Sequence, residues 1–199
     1  EIHERLVGSE MCIRDRFSIL ILLILAWSFY IGYSRGILLQ GYYFVISILA
    51  LLIAGSSYQS LAKTISLWVP FSSATQASKT YFFSEEQLFH LDKVFYAGLA
   101  FFILYVLVYA IGRVIGLFVP LIPTPEKWEE RPFQIASGAL SVLVTYFVLQ
   151  MGFTILATIP MATIQDRLHG SFLIRFMVQY SPLTASLLKQ LWVVKILGA

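Results

Sequence analysis

Four long apolar runs constrain this chain more than any other feature of its sequence. They cover about residues 17–33, 37–55, 94–112 and 135–159, and none contains an acidic or basic side chain. A helix rises 1.5 Å per residue, so about 20 residues cross the ~30 Å hydrocarbon layer of a bilayer. Each run has roughly that length. The runs predict an all-α, polytopic membrane protein with about four transmembrane helices.

The overall composition supports a bilayer as the solvent. Hydrophobic residues make up 58% of the chain, charged residues only 13%, and the mean hydropathy is +0.78. Soluble domains carry about 25% charged residues, so a soluble fold would lack the polar surface to cover its core. Sixteen Phe, eleven Tyr and four Trp are typical of helices anchored at membrane interfaces. The composition therefore argues against a soluble enzyme.

Residues 1–16 differ from the rest of the chain. They read EIHERLVGSEMCIRDR, begin without Met, and hold seven charged residues and the single cysteine, Cys12. A secretory signal would run from basic to apolar to small residues, which this segment does not. It resembles translated cloning or sequencing adapter, with a short charged native tail as the alternative. We expect an adapter-derived or disordered segment. Without Cys12, no disulfide, thiol nucleophile or cysteine metal ligand remains.

Short polar segments and prolines predict where the spans end. Ser34-Arg35-Gly36 separates the first two runs, so these form an antiparallel hairpin whose turn Gly36 suits, because glycine tolerates positive φ. Gly55-Ser56-Ser57 predicts a weakened helix, and residues 58–83 are too polar to span. Within them a short interfacial helix is indicated by the helical spacing of Leu61, Ile65, Trp68 and Val69. Pro120 and two further prolines end the third span.

The tail, residues 161–199, is not expected to cross the membrane. Charged side chains interrupt it every few positions, while apolar residues recur at helical spacing after Pro182 and more weakly over residues 172–178. This pattern predicts amphipathic helices that lie on the membrane or on the spans. Residues 17–160 then form the four-helix transmembrane domain.

The distribution of basic residues predicts the orientation. Four spans put both termini on one side, together with residues 56–93 and the tail. That side holds seven basic residues and the other side four. The seven are Lys63, Lys79, Lys93, Arg167, Arg175, Lys189 and Lys195; the four are Arg35, Arg113, Lys127 and Arg131. The positive-inside rule therefore predicts cytoplasmic termini.

Few polar side chains lie within the four runs, and none is an acid, a base or a histidine. Gln150, near the middle of the fourth run, is the most unusual. Its functional interpretation is a contact for a substrate or an ion; the structural one is an interhelical hydrogen bond, worth about 0.5–1 kcal/mol. The other candidates are Gln40, Ser28, Ser47, Ser137, Ser141, Thr145 and Thr154.

Small residues recur every four positions in two spans. Ser28, Gly32 and Gly36 form one such stripe, and Gly112 and Gly116 form another. This spacing lets helices approach closely. It predicts tight packing, within the chain or in self-association.

No recognisable catalytic, metal or nucleotide motif is present. A metal site needs three or four converging ligands, and His169 with Asp166 offers only one pair at i,i+3 spacing. The basic residues are scattered, so they suit anionic lipid headgroups better than nucleic acid. We expect no cofactor, no nucleic-acid partner and no enzymatic activity.

Two stretches resemble the CvpA family, named for colicin V production, in its Gram-positive form. The first is GYSRG at residues 32–36, between two apolar spans. The second follows the span that ends at Pro160: SFLIRF at 171–176 leads to Ser181-Pro182. ASGA at 136–139 stands where the family has a small, Gly-rich entry to its last span.

The resemblance implies a bacterial inner or plasma membrane protein linked to bacteriocin production or export and to envelope upkeep. It carries over no catalytic residue. Arg35 and Gly36 match the family's most recognisable motif. They are either functional residues or a structural turn, in which Arg35 anchors the helix end at the membrane interface. Residues 126–131 depart from it, because a charged loop replaces a shorter basic one. The candidate residues are Gly32, Arg35, Gly36, Gln150, Ser171 and Pro182.

Two functions follow as hypotheses. The first is a non-enzymatic membrane component that supports secretion or envelope homeostasis, with membrane protein partners or as a homo-oligomer. The alternative is a small oligomeric transporter or channel, whose polar path would use Gln150, Ser137, Ser141 and Thr145. An intramembrane enzyme would need buried acids or a histidine pair, which the spans lack.

Overall fold

The computed structural model describes residues 2–70, 81, 91–121, 125, 128 and 130–180. Regular structure in these residues is helical, without a strand, which confirms the all-α prediction. Among them, four helices are long and apolar enough to cross a membrane, which confirms the four predicted spans. These helices are Phe17–Arg35, Ile37–Ile65, Leu91–Leu121 and Arg131–Ala157.

The first two helices are joined by a single residue. Helix α1 covers Ile2–Arg35 and helix α2 covers Ile37–Ile65, with Gly36 between them. Gly36 has a φ of 81°, a conformation that residues with a Cβ atom rarely adopt. The turn therefore depends on glycine, as the sequence predicts. The backbone of residues 2–16 is helical and continues into the first span.

Helix α2 continues through Gly55-Ser56-Ser57, so the predicted weakening and the separate interfacial helix are wrong. The Ser56 hydroxyl donates to the carbonyl of Ile53 at 2.9 Å, which satisfies it within the helix. Tyr58, one turn from Ala54, is buried beside it on the same helix face. With 29 residues, α2 is about 44 Å long and exceeds the hydrocarbon thickness.

The third and fourth spans differ from their predicted bounds by a few residues. Helix α3 covers Leu91–Ile115, and a 3₁₀ helix, Gly116–Leu121, follows it and contains Pro120. Proline has no N–H to donate, so the α-helical ladder stops before it. Helix α4 covers Arg131–Ala157, which begins four residues before the predicted span and ends two residues earlier.

Shorter helices follow α4. Helix α5 covers Ala162–Gly170 and helix α6 covers Phe172–Arg175, continued by a π-helical turn, Phe176–Tyr180. Ile174, Met177 and Val178 are buried, whereas Phe172 and Phe176 are exposed, so the predicted amphipathic character is present here. The apolar stripe predicted after Pro182 lies outside the described residues.

The chain divides into two units. The first, which we call the hairpin unit, consists of the described parts of residues 25–70 and 96–151. The second, the tail unit, consists of the described parts of residues 1–24, 71–95 and 152–199.

Burial within the hairpin unit differs from that of a soluble protein, because polar side chains are buried while the exposed surface is largely apolar. The polar side chains of Gln40, Ser47 and Gln150 are buried. Many large apolar side chains are exposed, among them Trp27 (66%) and Leu52 (66%). Lipid is as apolar as leucine, so apolar side chains can face it without penalty, whereas polar side chains are kept away from it. The chain is a membrane protein in its pattern of burial as well as in its spans.

Candidate functional site at the Arg35–Gly36 turn

The turn between α1 and α2 borders a cavity of about 230 Å³ within the hairpin unit. Residues on both sides of the turn line it, together with two residues from the connection before α4 and from its first turn. The lining consists of Tyr33, Ser34, Arg35, Gly36, Ile37, Leu38, Trp128 and Gln134. Four of the five residues of the GYSRG motif, residues 33–36, therefore form part of the cavity wall.

The first turn of α2 presents backbone donors at this cavity. Gly36 is the N-cap and has no side chain to accept from the helix, and the first turn contains no acidic residue. The first intrahelical bond runs from the Gln40 N–H to the Gly36 carbonyl, at 3.2 Å. The N–H groups of Ile37 and Leu38 therefore have no intrahelical acceptor, as at any helix start, and the helix dipole adds partial positive charge there.

Two arginines converge on the ring of Tyr43. The Cζ atom of Arg35 lies 5.6 Å from the ring centroid and that of Arg113 lies 5.1 Å from it. Both distances are within cation–π range. We call Arg35 and Arg113 the arginine pair. Among the residues that the structure describes, neither guanidinium group forms an ion pair with a carboxylate.

A row of tyrosines continues from Tyr43 between α2 and α3. The ring centroids of Tyr43 and Tyr109 are 6.5 Å apart, and those of Tyr109 and Tyr105 are 5.9 Å apart with nearly parallel planes. The Tyr105 hydroxyl hydrogen-bonds to the Ser47 hydroxyl at 2.7 Å. These contacts give the polar ends of buried side chains partners inside the protein, which a lipid environment requires.

The second glycine stripe packs α3 against α2. A Cβ atom on Gly112 would lie 2.3 Å from Cγ2 of Ile46, and one on Gly116 would lie 2.5 Å from Cε1 of Tyr43. The Tyr42 hydroxyl donates to the Gly112 carbonyl at 3.1 Å. The close approach predicted for this stripe is therefore used within the chain.

The first stripe packs α1 against α4. A Cβ atom on Gly32 would lie 2.4 Å from the Cβ atom of Ser141 and 2.9 Å from the Ser137 carbonyl oxygen. The Ser137 hydroxyl is placed to donate to the carbonyl of Gly32 and, at 2.9 Å, to that of Gly36. Ser137 therefore ties the end of α1 and the turn to α4.

Ser28, one turn before Gly32 on α1, extends this contact. Its hydroxyl lies 3.0 Å from that of Ser141 and 2.6 Å from that of Thr145, and it can also donate to the Ser141 carbonyl at 3.1 Å. Ser137, Ser141 and Thr145 are three of the four residues that the transporter hypothesis assigned to a polar path. In this structure their hydroxyl groups join two helices of the same unit.

The remaining candidate residues lie elsewhere. Gln150 is fully buried on α4, 16 residues beyond Gln134 and hence about 24 Å along the helix from the cavity. Ser171, in the tail unit, is buried and its hydroxyl lies 3.0 Å from that of Ser18. Its carbonyl accepts from the Arg175 N–H at 3.2 Å, so its contacts are structural. Pro182 lies outside the described residues.

Several residues at the site were not singled out from the sequence: Tyr43, Tyr109, Arg113, Trp128 and Gln134. One signal was available for Tyr43, because it follows Gly36 by seven residues and so lies on the same face of α2. The contact of Arg113 with that ring has no local signal, because the two residues are 70 positions apart.

In the tail unit, Gln165 and Tyr81 organise the segment after α4. Gln165 is fully buried, and its Nε2 donates to the carbonyls of Ala157 and Ile159, both at 2.9 Å. The Tyr81 ring stacks on His169 at 4.4 Å, and its hydroxyl lies 3.3 Å from a carboxylate oxygen of Asp166. Within the described residues, no group of three or more His, Cys, Asp or Glu is placed to hold a metal ion.

Comparison with known proteins gives one family and one relative. A family model described as colicin V production protein matches residues 17–182. A Bacillus subtilis (strain 168) protein described as the uncharacterized transmembrane protein YshB is 25% identical over 176 residues, which cover 87% of this chain and 96% of the relative. No solved structure matches the chain.

Proposed function

The chain belongs to the colicin V production protein family, and on that premise we propose that it is a non-catalytic membrane protein that supports bacteriocin or toxin production or export and upkeep of the cell envelope. Its proposed location is the bacterial plasma membrane, with both termini in the cytoplasm. Its proposed partners are the lipid bilayer and other membrane proteins, or further copies of itself. We propose no cofactor and no nucleic-acid partner.

The observation that carries this proposal is that hydroxyl groups in the spans form hydrogen bonds between helices. The hydroxyl groups of Ser28, Ser137 and Ser141 hold α1 against α4, and that of Ser47 pairs with Tyr105 between α2 and α3. Side chains that are engaged in helix packing favour a scaffold that presents surfaces to partners. They count against a polar transport path through the same residues.

The experiment is a purification from native bacterial membranes. A tagged chain that starts at Phe17, with a new Met before it, is extracted in mild detergent, and mass spectrometry identifies what co-purifies relative to an untagged control. We expect a reproducible, near-stoichiometric partner from a secretion or cell-wall system. Gly32→Leu should reduce its recovery, because the side chain would force α1 from α4. Gly41→Leu, at a glycine with no neighbouring atom within 4 Å, is the matched control.

A chain that purifies with no other membrane protein, whether single or as a homo-oligomer, would count against a role in a secretion or cell-wall system. Liposomes that contain only this protein would then be tested for ion or solute flux. A flux that Gln150→Leu abolishes and Gly41→Leu leaves intact would establish the transporter in its place.

The proposed orientation is tested with single cysteines in a chain that lacks Cys12. Lys63 lies in the last turn of α2 and Leu121 ends the third span, and both are exposed. In intact cells, a membrane-impermeant maleimide should label Leu121→Cys and leave Lys63→Cys unlabelled. The reverse pattern would place the termini outside.

A further inference from the structure

We infer that the cavity at the Arg35–Gly36 turn binds a phosphate-bearing anion, held by Arg35 and supported by the charge of Arg113. The ligand chemistry is a phosphate mono- or diester, which a lipid headgroup or a free phosphate could supply. This inference concerns the cavity alone and does not depend on the proposed secretion role.

The first step is the charge balance around Tyr43. The arginine pair places two positive charges around one ring that is only 4% exposed. Both side chains are cationic, so they repel each other. No described carboxylate pairs with either group. A bound anion would supply the missing negative charge.

The second step is the donor set that faces the cavity. Arg35 lines it and offers a planar fork of N–H donors that matches phosphate oxygens. Ile37 and Leu38 line it at the uncapped start of α2, where N–H groups have no intrahelical acceptor. Gln134 adds an amide to the same wall. Ser34 also lines it, but its hydroxyl donates to the Ile31 carbonyl at 3.0 Å and is not counted as a donor to the cavity. Donors from four residues thus surround one space.

The third step is size and location. A water molecule occupies about 30 Å³ in the liquid, so a cavity of about 230 Å³ holds a group several times larger, such as a phosphate with a short polar substituent. The cavity lies where the span Phe17–Arg35 ends and α2 begins. Headgroups lie at the ends of spans, where a long basic side chain can reach their phosphates. Trp128, a residue type typical of that interface, is part of the wall.

Trp128 provides the readout. The purified chain in dodecyl maltoside is titrated with dihexanoyl phosphatidylglycerol, dihexanoyl phosphatidylcholine or inorganic phosphate while tryptophan fluorescence is followed. We expect a saturable change with phosphatidylglycerol that Trp128→Phe removes. Arg35→Gln should weaken binding by about tenfold or more, because it removes a charge-assisted contact. Arg113→Gln should weaken it less, since Arg113 does not line the cavity.

Two controls separate binding from folding and from net charge. Arg167→Gln removes one positive charge from an exposed position on α5 and should leave the affinity unchanged. Arg35→Lys keeps the charge and loses the planar fork, so its affinity should fall between those of the parent and Arg35→Gln. Far-UV circular dichroism and elution volume establish that each variant is folded.

The three probes distinguish the sources. Saturation by phosphatidylglycerol that millimolar inorganic phosphate does not displace identifies a lipid headgroup. Saturation by inorganic phosphate alone identifies a free anion, and mutual displacement identifies recognition of the phosphate itself. The inference is overturned if no probe saturates, if Arg35→Gln binds as well as the parent, or if Arg167→Gln weakens binding as much as Arg35→Gln.

Discussion

Replacing Gly32 by alanine tests whether α1 and α4 pack as the structure shows. The added Cβ atom would lie 2.4 Å from the Cβ atom of Ser141. Carbon atoms in favourable contact are about 3.5–4.0 Å apart, so the two helices must separate locally by about 1 Å or more. The hydrogen bond from Ser137 to the Gly36 carbonyl, now 2.9 Å, would then exceed bonding distance.

The magnitude follows from these two losses. Overpacking of a close contact costs about 1–3 kcal/mol, and each interhelical hydrogen bond in a membrane contributes about 0.6 kcal/mol. Alanine favours the helix over glycine by up to about 1 kcal/mol, which offsets part of the cost. Gly41→Ala, on α2, gains the same helix propensity, and its added Cβ atom would meet no atom within 4 Å. We therefore expect Gly32→Ala to be less stable than Gly41→Ala by about 2–3 kcal/mol.

The assay is equilibrium unfolding in mixed dodecyl maltoside and dodecyl sulfate micelles, followed by circular dichroism. The parent, Gly32→Ala and Gly41→Ala are compared at the same protein concentration. A third variant combines Gly32→Ala with Ser141→Gly, which removes the atom nearest to the added Cβ. Its loss in unfolding free energy should be at least about 0.5 kcal/mol smaller than the sum of the losses of the two single variants.

Equal stability of Gly32→Ala and Gly41→Ala, within about 0.5 kcal/mol, would refute the reasoning. It would mean that Gly32 faces lipid or another molecule and not α4. A stability loss that grows on dilution would instead assign the glycine stripe to self-association, because only an intermolecular contact depends on concentration.

Three further predictions use the same unfolding assay or hydrogen exchange. Gly36→Ala should cost about 1–2 kcal/mol, because alanine is strained at a φ of 81°; parent-like stability would show that the turn can rearrange. Gly112→Ala should be destabilised by about 1–3 kcal/mol through contact with the Ile46 side chain, and Ile46→Ala in the same chain should recover part of that loss. Lack of any recovery would exclude Ile46 as the obstacle. Gln165→Leu should leave the carbonyls of Ala157, at the end of α4, and Ile159, just beyond it, without their donor. The cost should be about 1–3 kcal/mol, and hydrogen exchange should rise around Pro160. Gln179→Leu, at an exposed position, is the control; equal exchange in both variants would contradict this role.

Local sequence signals predicted much of the helical architecture. The four spans follow from uncharged apolar runs, because length and hydropathy are properties of a single segment. The Gly36 turn follows from the one residue type that tolerates its φ. The weakening expected at Gly55-Ser56-Ser57 failed, because hydroxyl groups can satisfy themselves within a helix, as Ser56 does.

The candidate site was predicted only in part. GYSRG at residues 32–36 was recognised as the distinctive motif, and Arg35 and Gly36 do line the cavity. Arg113 and Trp128 could not be added to it, because they are distant from the motif in sequence and no local pattern indicates the contact. Tyr43 follows Gly36 by seven residues on the same face of α2, but it was not singled out. From the sequence, the polar residues of the fourth span fitted either a transport path or contacts between helices. Only the structure favours helix contacts, because it shows Ser141 and Thr145 paired with Ser28 on α1.

The sequence by itself determined the four apolar segments that form the bilayer-spanning helices of the described residues. It also determined which face of the first and third spans carries their small residues. Helical periodicity sets that face regardless of what lies opposite it. The tertiary structure decided which helix each face meets: α4 for Gly32, and α2 for Gly112. It also placed Arg35 and Arg113 around one tyrosine. Such pairings depend on shape and hydrogen bonding between segments far apart in the chain, so no single segment encodes them.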